Sequence, residues 1–397
     1  MKKKVLEQTR EAEENMADNK EPDTKPAVDR AQLKALLSWY EKNKRSLPWR
    51  DAPTPYHVYV SEIMLQQTRV EAVKSYYLRF LTELPDLKAL AAVQEDRLLK
   101  LWEGLGYYTR ARNLKKTAEL VVRDHGGELP REVSELKKLP GIGDYTAGAI
   151  SSIAYKQAEV AIDGNALRVF ARLRGDERNI AEDKTKQAVR KELKEALVYA
   201  GLSPERYSIF NQAVMDLGAT ICLPTGRPDC ENCPLKRTCI AHKEAREQEF
   251  PVKTPLKKRR IEKRTVFVVL SGNRILLRKR PETGLLAGMY EFPNVLGHLS
   301  EKELEARFGK EEMQLLRLPS ARHIFSHVEW EMEGYLVKPS SGAEIHGISG
   351  LLGEKDLDDR EVWAAFEELS GKYSVPKAFK LYTQIALDLL APSPEAL

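Results

Sequence analysis

Apolar residues recur every three to four positions from Arg30 to about Ala241. The recurrence predicts helices over Ala31–Tyr40, Pro55–Phe80, Leu87–Trp102, Ala111–Asp124, Val133–Leu139, Tyr145–Tyr155, Asn165–Arg172, Lys184–Tyr199 and Pro204–Leu217. Glycine pairs punctuate them, at Gly104-Leu105-Gly106 and Gly126-Gly127. Beyond that region the period shortens to two. Arg264–Leu270 and Arg274–Arg280 read as strands of a hairpin turned at Ser271-Gly272-Asn273, and Arg322–Phe325 and Val328–Val337 continue the β character. Ser300–Phe308 and Pro376–Leu390 return to helical spacing. Residues 1–28 lack periodicity and mix Lys with Glu, which predicts a disordered tail. The pattern therefore predicts a multidomain chain: an all-α domain over 29–245, a basic linker over 246–263 and a smaller α+β domain over 264–392.

Composition narrows the class. A chain of 397 residues, 42% hydrophobic and 31% charged, has the make-up of two globular domains with tails. No apolar run approaches the roughly 20 residues that span a bilayer, and Met1 to Arg30 holds no secretory-type apolar segment, so a cytoplasmic protein without membrane partners is expected. The net charge of +5 says little by itself, but Lys253, Lys257, Lys258, Arg259, Arg260, Lys263 and Arg264 face the single acid Glu262, a local excess of six. A solvated linker and a phosphate contact both account for it.

All four cysteines, Cys222, Cys230, Cys233 and Cys239, fall in one short loop after a helix. In a reducing compartment this argues for metal rather than disulfides. Only one Cys-x-x-Cys pair is present, which fits four thiolates around one [4Fe–4S] cluster better than a zinc ribbon, with zinc as the alternative. Arg227, Lys236 and Arg237 of the same loop are positioned for phosphates.

Leu139-Pro140-Gly141-Ile142-Gly143 joins two helical patterns. Gly141 and Gly143 permit a sharp turn that leaves backbone N–H groups free at a helix start, an anion site needing no side chain, although an ordinary helix–helix turn has the same composition. Val160-Ala161-Ile162-Asp163-Gly164-Asn165 places a carboxylate at the start of the next helix, where it serves as a cap or as the ionised acid that glycoside cleavage requires. Glu62 stands in Val60-Ser61-Glu62-Ile63-Met64-Leu65-Gln66-Gln67-Thr68, among mostly apolar neighbours that should raise its pKa and equip it to donate a proton. An exposed face residue is the alternative.

Ser61–Thr68, Glu103-Gly104-Leu105-Gly106-Tyr107-Tyr108, Leu139–Gly143, Ile162–Asn165, Phe210-Asn211-Gln212 and the cysteine loop occur in an order that resembles adenine DNA glycosylases of the MutY type, within the helix–hairpin–helix superfamily of endonuclease III. The resemblance covers roughly residues 30–390. It implies that Glu62 protonates N7 of adenine, that Asp163 stabilises or captures the oxocarbenium-like sugar, and that Asn165 and Tyr145 support that centre. Gln67 and Tyr107 match the family's wedge residues, and Arg45, Trp49, Arg50, Leu65 and Gln212 fall at adenine-pocket positions, though Trp49 also suits core packing. Lyase relatives carry a nucleophilic lysine where this chain has Tyr145, and a phenol cannot form a Schiff base, so little or no strand cutting is expected.

The second domain resembles the Nudix-type domain that these enzymes append. Glu301, Glu303 and Glu305 follow Gly288–Pro293, but the Arg-Glu-x-x-Glu-Glu arrangement of the metal-dependent hydrolases is missing, so a reader of the opposite strand is implied rather than a catalyst. Phe325-Ser326-His327 matches the loop that touches 8-oxoguanine; an ordinary hairpin tip is the bland alternative. Two departures stand out: the first cysteine interval is Cys-x7-Cys where the family usually has six, and the N-terminal tail is long. The expected activity is monofunctional, hydrolytic removal of adenine opposite 8-oxoguanine or guanine in double-stranded DNA, by a monomer. The rivals are a nucleotide pyrophosphatase acting through residues 264–397, an iron–sulfur DNA-binding sensor and an endonuclease III-like lyase.

Overall fold

The computed structural model describes residues 27–255, 258–308, 313–340 and 360–391. The tail expected over 1–28 lies outside them except for Ala27 and Val28, which are buried against the first core rather than free; Lys257 of the basic linker also lies outside. The chain forms two compact units, one from Met1–Ser46 and Gly143–Thr254, the other from Leu47–Ile142 and Pro255–Leu397.

The first unit is helical. Arg30–Asn43 starts with a capping box in which Asp29 accepts from the Gln32 N–H while the Gln32 side chain accepts from the Asp29 N–H. Asp144–Ala149 runs on into a π-helical turn, Ile150–Ala154, and is followed by Gly164–Arg174, Asp183–Tyr199, Pro204–Thr220 and Ile240–Lys243. Leu36, Phe170, Leu193, Phe210 and Leu217 form its core, with Phe170 and Phe210 stacked at 6.2 Å. Gly218 is required where Pro204–Thr220 meets Gly164–Arg174: a Cβ there would lie 2.5 Å from the Cβ of Asn165.

The second unit contains helices and the sheet. Two sequence-predicted helices are each two in the structure. Pro55–Phe80 divides into Pro55–Leu65 and Val70–Glu83, and Leu87–Trp102 into Leu87–Ala92 and Glu95–Trp102. The breaks are short, four residues (66–69) and two (93–94), and neither holds a Gly or Pro. What marks the breaks is chemistry: Gln67 takes φ 57°, and Glu95 and Asp96 supply the acidic first turn of a new helix.

The sheet is centred on β1 (Arg260–Ser271), which begins four residues before the expected start and draws the end of the basic stretch into the fold. β2 (Arg274–Lys279) returns antiparallel through a two-residue turn, Ser271 facing Arg274. β3 (Tyr290–Glu291) lies on β2, β4 (Asn294–Leu296) on β1, β5 (Met313–Ile324) on β6 (Val328–Pro339), and β7 (Glu361–Ala364) on β2. β6 is parallel to β1 from Arg260/Val328 to Val269/Val337. The period of two is realised as two apolar faces: Val266, Val268, Ile275 and Trp330 meet Phe379 and Tyr382, while Phe267, Val269 and Leu276 meet Leu304 and Phe308 on the other side. Helix Glu301–Phe308 covers that second face, and Lys380–Leu390, preceded by the 3-10 turn Lys377–Phe379, covers the first.

Candidate functional site

In the first unit, Asp163 caps helix Gly164–Arg174. Its Oδ1 accepts from the Ala166 N–H at 2.7 Å and its Oδ2 from the Asn165 amide at 2.7 Å. The capping reading of the sequence is therefore realised. Burial pushes this carboxyl above its ordinary pKa, and the Ala166 N–H, the Asn165 amide and the Arg168 charge oppose that shift. Arg168, buried and not singled out in the sequence, ties the group together: it donates to Asn165 Oδ1 (2.8 Å), to the Gly218 carbonyl (2.8 Å) and to the Cys222 carbonyl (2.8 Å). Hydrogen bonds thus run from the carboxylate to the cysteine loop.

Three further predicted residues of this unit have partners. Tyr145 donates to Met215 Sδ at 3.9 Å. Gln212 accepts from Tyr40 and donates to Ser208. Arg45 clamps the fully buried Asp216 with its backbone N–H, Nε and Nη2, at 3.1, 2.7 and 2.7 Å. Asp216 went unnoticed in the sequence, where nothing near it marks it out.

All four cysteines line one concavity, with Val169, Leu173, Leu217 and Leu235 as apolar wall. Arg172 reaches Cys222 Sγ at 3.3 Å, Cys239 Sγ donates to the Arg172 carbonyl, and Cys230 Sγ lies 3.7 Å from Glu247, which also holds His242. Burial, then the Glu247 carboxylate and the neighbouring sulfurs, push Cys230 up to about 11, and burial with the neighbouring sulfurs pushes Cys233 up to about 12. Burial also raises Cys239, and thiols held neutral in an apolar wall ionise once cationic charge sits among them, which is what a thiolate-bound metal centre provides.

In the second unit, Glu62 is buried on helix Pro55–Leu65, surrounded on its element by buried Val60, Ser61, Ile63 and Met64, so the exposed-face alternative is excluded. Trp49 is buried edge-to-face against Tyr77 at 5.5 Å, realising its packing role. Arg50 and Leu65 are half-buried. Gly141 adopts φ +75°, and a Cβ there would strike Asn113; Gly143, the first residue of the other unit's second segment, takes an extended conformation and caps helix Asp144–Ala149. Thr117 secures the hairpin by donating to the Pro140 carbonyl at 2.9 Å.

Gln67 and Tyr107 are both exposed and both held at positive φ, 57° and 49°, conformations costly for residues other than glycine. One buried side chain holds the two loops. Arg110 donates through Nη1 to the carbonyls of Ile63, Met64 and Gln66, and through Nη2 to Thr68 Oγ1 and the carbonyls of Leu105 and Gly106. Its guanidinium also lies 5.7 Å from the Tyr107 ring. Burial lowers its pKa to about 10, still well above neutrality, so the charge stays.

The Tyr107 loop and the Phe325-Ser326-His327 turn line one cavity of about 740 Å³, together with Arg112, Arg259 and Lys377. Phe325 turns inward onto Trp330 at 4.9 Å, and Arg259 fixes its carbonyl; Ser326 and His327 stay exposed, 3.2 Å apart through Oγ and Nδ1. Glu303 caps its own helix by accepting from Ser300, and Glu301 and Glu305 are exposed.

Residues 60–197 match the model of the HhH-GPD superfamily base excision DNA repair proteins, and residues 265–384 match the NUDIX domain. Fold and site thus define a helix–hairpin–helix base-excision enzyme with an appended Nudix-like domain. The adenine DNA glycosylase of Mus musculus is 36% identical over 361 residues, covering 76% of this chain and 69% of that protein. That of Rattus norvegicus is 33% identical, covering 88% and 77%, and that of Arabidopsis thaliana 38%, covering 66% and 47%. A thermostable thymine-DNA glycosylase structure aligns with 54% of this chain and 97% of its own, at 25% identity and a TM-score of 0.48. The chain belongs to the adenine DNA glycosylase family of the MutY type. Membership of a base excision DNA repair family makes DNA its partner, and no helix among the described residues is long and apolar enough to cross a membrane.

Proposed function

We propose that this enzyme hydrolyses the N-glycosidic bond of adenine mispaired with 8-oxoguanine, and less efficiently with guanine, leaving an abasic site without cutting the strand. The observation that carries the reading is the Asp163 carboxylate, desolvated yet oriented by two short hydrogen bonds at a helix start. A developing sugar cation is the partner such a group lacks at rest. Glu62 supplies a proton to N7 so that adenine leaves neutral. The target nucleotide must first leave the stack, at a cost of a few kcal/mol, and the exposed Gln67 and Tyr107 fill the gap. Arg45, Trp49, Arg50, Leu65 and Gln212 belong to the adenine pocket, with Arg45 anchored by Asp216. Tyr145 and Asn165 support the carboxylate; with no lysine at position 145 there is no Schiff base to make.

Cys222, Cys230, Cys233 and Cys239 hold one [4Fe–4S] cluster, whose service here is structural bracing of the loop that Arg168 and Arg172 grip. Ser326 and His327 read the opposite base from the rim of the cavity they share with Tyr107, and Gly141 and Gly143 present backbone N–H groups to a phosphate. Asp163→Asn tests the mechanism: it should bind mispaired duplex with near-native affinity while single-turnover excision falls on the order of 10²–10³-fold or more. Full turnover in that variant would show that the chemistry lies elsewhere. Borohydride reduction should trap no protein–DNA crosslink, whereas an efficient crosslink would favour a lyase.

A further inference from the structure

The loop that carries Tyr107 runs between helices Glu95–Trp102 and Thr109–Asp124, and Arg110 and Trp102 support its conformation from within. A separate set of contacts ties both flanks of this loop to the segment that matches the NUDIX domain, all inside the second unit. We propose that Glu103 and Arg112 are positioning residues that hold the Tyr107 loop against the Phe325-Ser326-His327 turn, and so set how strongly excision depends on the base opposite adenine. The proposal rests on Ser326 and His327 reading that base.

On the first flank, Glu103 Oε1 accepts from the Val375 N–H at 3.0 Å, while Oε2 pairs with Lys100 at 2.7 Å. Lys100 donates onward to the Tyr373 carbonyl at 3.1 Å, and Ser374 donates back to the Leu99 carbonyl at 3.2 Å. On the second flank, Arg112 pairs with Glu95 through Nε at 2.6 Å and donates through Nη2 to the Ala287 carbonyl. Glu103 precedes Tyr107 and Arg112 follows it, so the loop is held at both ends. The partners of these two side chains belong to the wall of the cavity that the loop shares with the turn. Ala287 lines that cavity beside Leu286, and Val375 directly precedes Pro376 and Lys377, which line it as well.

Both contacts are made to backbone groups, so they fix the course of the chain on the far side rather than one rotamer there. Each is also charge-assisted, hence stronger than a neutral hydrogen bond, and the Lys100 and Arg112 side chains that complete the two flanks are only 13% and 14% exposed. Arg110 rather than Glu103 or Arg112 supports the positive φ of Tyr107. Loosening the flanks therefore shifts the loop relative to the turn and leaves the loop itself formed. The preference for one opposite base suffers, and removal of adenine as such does not.

Single-turnover excision by the full-length protein, on duplexes bearing adenine opposite 8-oxoguanine and opposite guanine, tests the proposal. The parent should prefer the first duplex. That preference should fall about fivefold in Glu103→Ala and in Arg112→Met, the effect of one lost hydrogen bond, through slower excision opposite 8-oxoguanine alone. Glu103→Gln keeps an acceptor for the Val375 N–H and should restore most of the preference. Adding Ser326→Ala to Glu103→Ala should lower it no further than the larger single effect, because both act on one contact. A parent without the preference would overturn the reading of the opposite base and this proposal with it. A preference retained in both Glu103→Ala and Arg112→Met, equal losses on the two duplexes, or fully additive losses with Ser326→Ala would overturn the positioning role alone.

Discussion

Asp163 bears two opposed demands. Desolvation favours its neutral form, and catalysis in the proposed reading uses its ionised form. Because its pKa is raised, folding gains from this group below the unfolded-state value, and the gain is lost as pH rises through the folded value. Asp163→Asn keeps a capping oxygen, so this variant should melt at a higher temperature than the parent near neutral pH, with the difference shrinking as the pH is lowered through the acid range. A calorimetric series across pH measures this; a lower melting temperature at neutrality would mean that the two hydrogen bonds outweigh desolvation. The acid limb of single-turnover rate against pH should likewise lie above the ordinary Asp value, since burial is the larger cause of the shift.

Motif residues were legible because their signals are local. The cysteines cluster within one loop, and Asp163 is flanked by Val160-Ala161-Ile162 and Gly164. Arg110, Asp216 and Arg168 were not legible, because each acts across a long sequence separation: 46 residues from Arg110 to Met64, 171 from Arg45 to Asp216 and 54 from Arg168 to Cys222. No spacing rule marks an arginine whose acceptors are distant backbone carbonyls.

Among elements, the turn between helices Pro55–Leu65 and Val70–Glu83 and the turn before Thr109–Asp124 carry Gln67 and Tyr107 in strained conformations. Periodicity missed the first turn because Gln66-Gln67-Thr68-Arg69 holds no Gly or Pro to mark a break and its four polar residues fit one helical turn. Arg110 ties both turns together through six hydrogen bonds, with Trp102 Nε1–H adding one to the Gly106 carbonyl, so this side chain is the main support of the strained conformations. Arg110→Met would leave buried carbonyls unsatisfied at about 1–3 kcal/mol each, a loss on the order of several kcal/mol. Arg110→Lys, which keeps the charge but not the fork, should fold and yet show faster amide hydrogen exchange at Gln66–Thr68 and Leu105–Tyr107, together with slower excision. Unchanged exchange in both turns would show that other contacts set them.

At the scale of the whole molecule, the sequence pattern anticipated a helical region followed by an α+β region, and the family matches over 60–197 and 265–384 agree with that order. The division into two compact units was not legible, since it depends on which distant segments pack together: Leu47–Ile142 clusters with Pro255–Leu397. That clustering places Tyr107 and the Phe325-Ser326-His327 turn on one cavity, so the proposed reading of the opposite base belongs to the same unit as the wedge. Ser326→Ala should reduce the preference for adenine opposite 8-oxoguanine over adenine opposite guanine by several-fold, on the order of one hydrogen bond, while leaving excision opposite guanine nearly unaffected. Equal losses on both duplexes would assign Ser326 to folding instead.

The central claim is that Glu62 and Asp163 divide the cleavage of one glycosidic bond between proton donation and charge stabilisation. Its most direct test is single-turnover incubation of the purified enzyme with duplex bearing adenine opposite 8-oxoguanine, quenched with and without alkali. The account predicts strand breaks at the adenine position only after alkali, and their loss in both Glu62→Gln and Asp163→Asn. Breaks without alkali, or undiminished abasic sites in either variant, would contradict it.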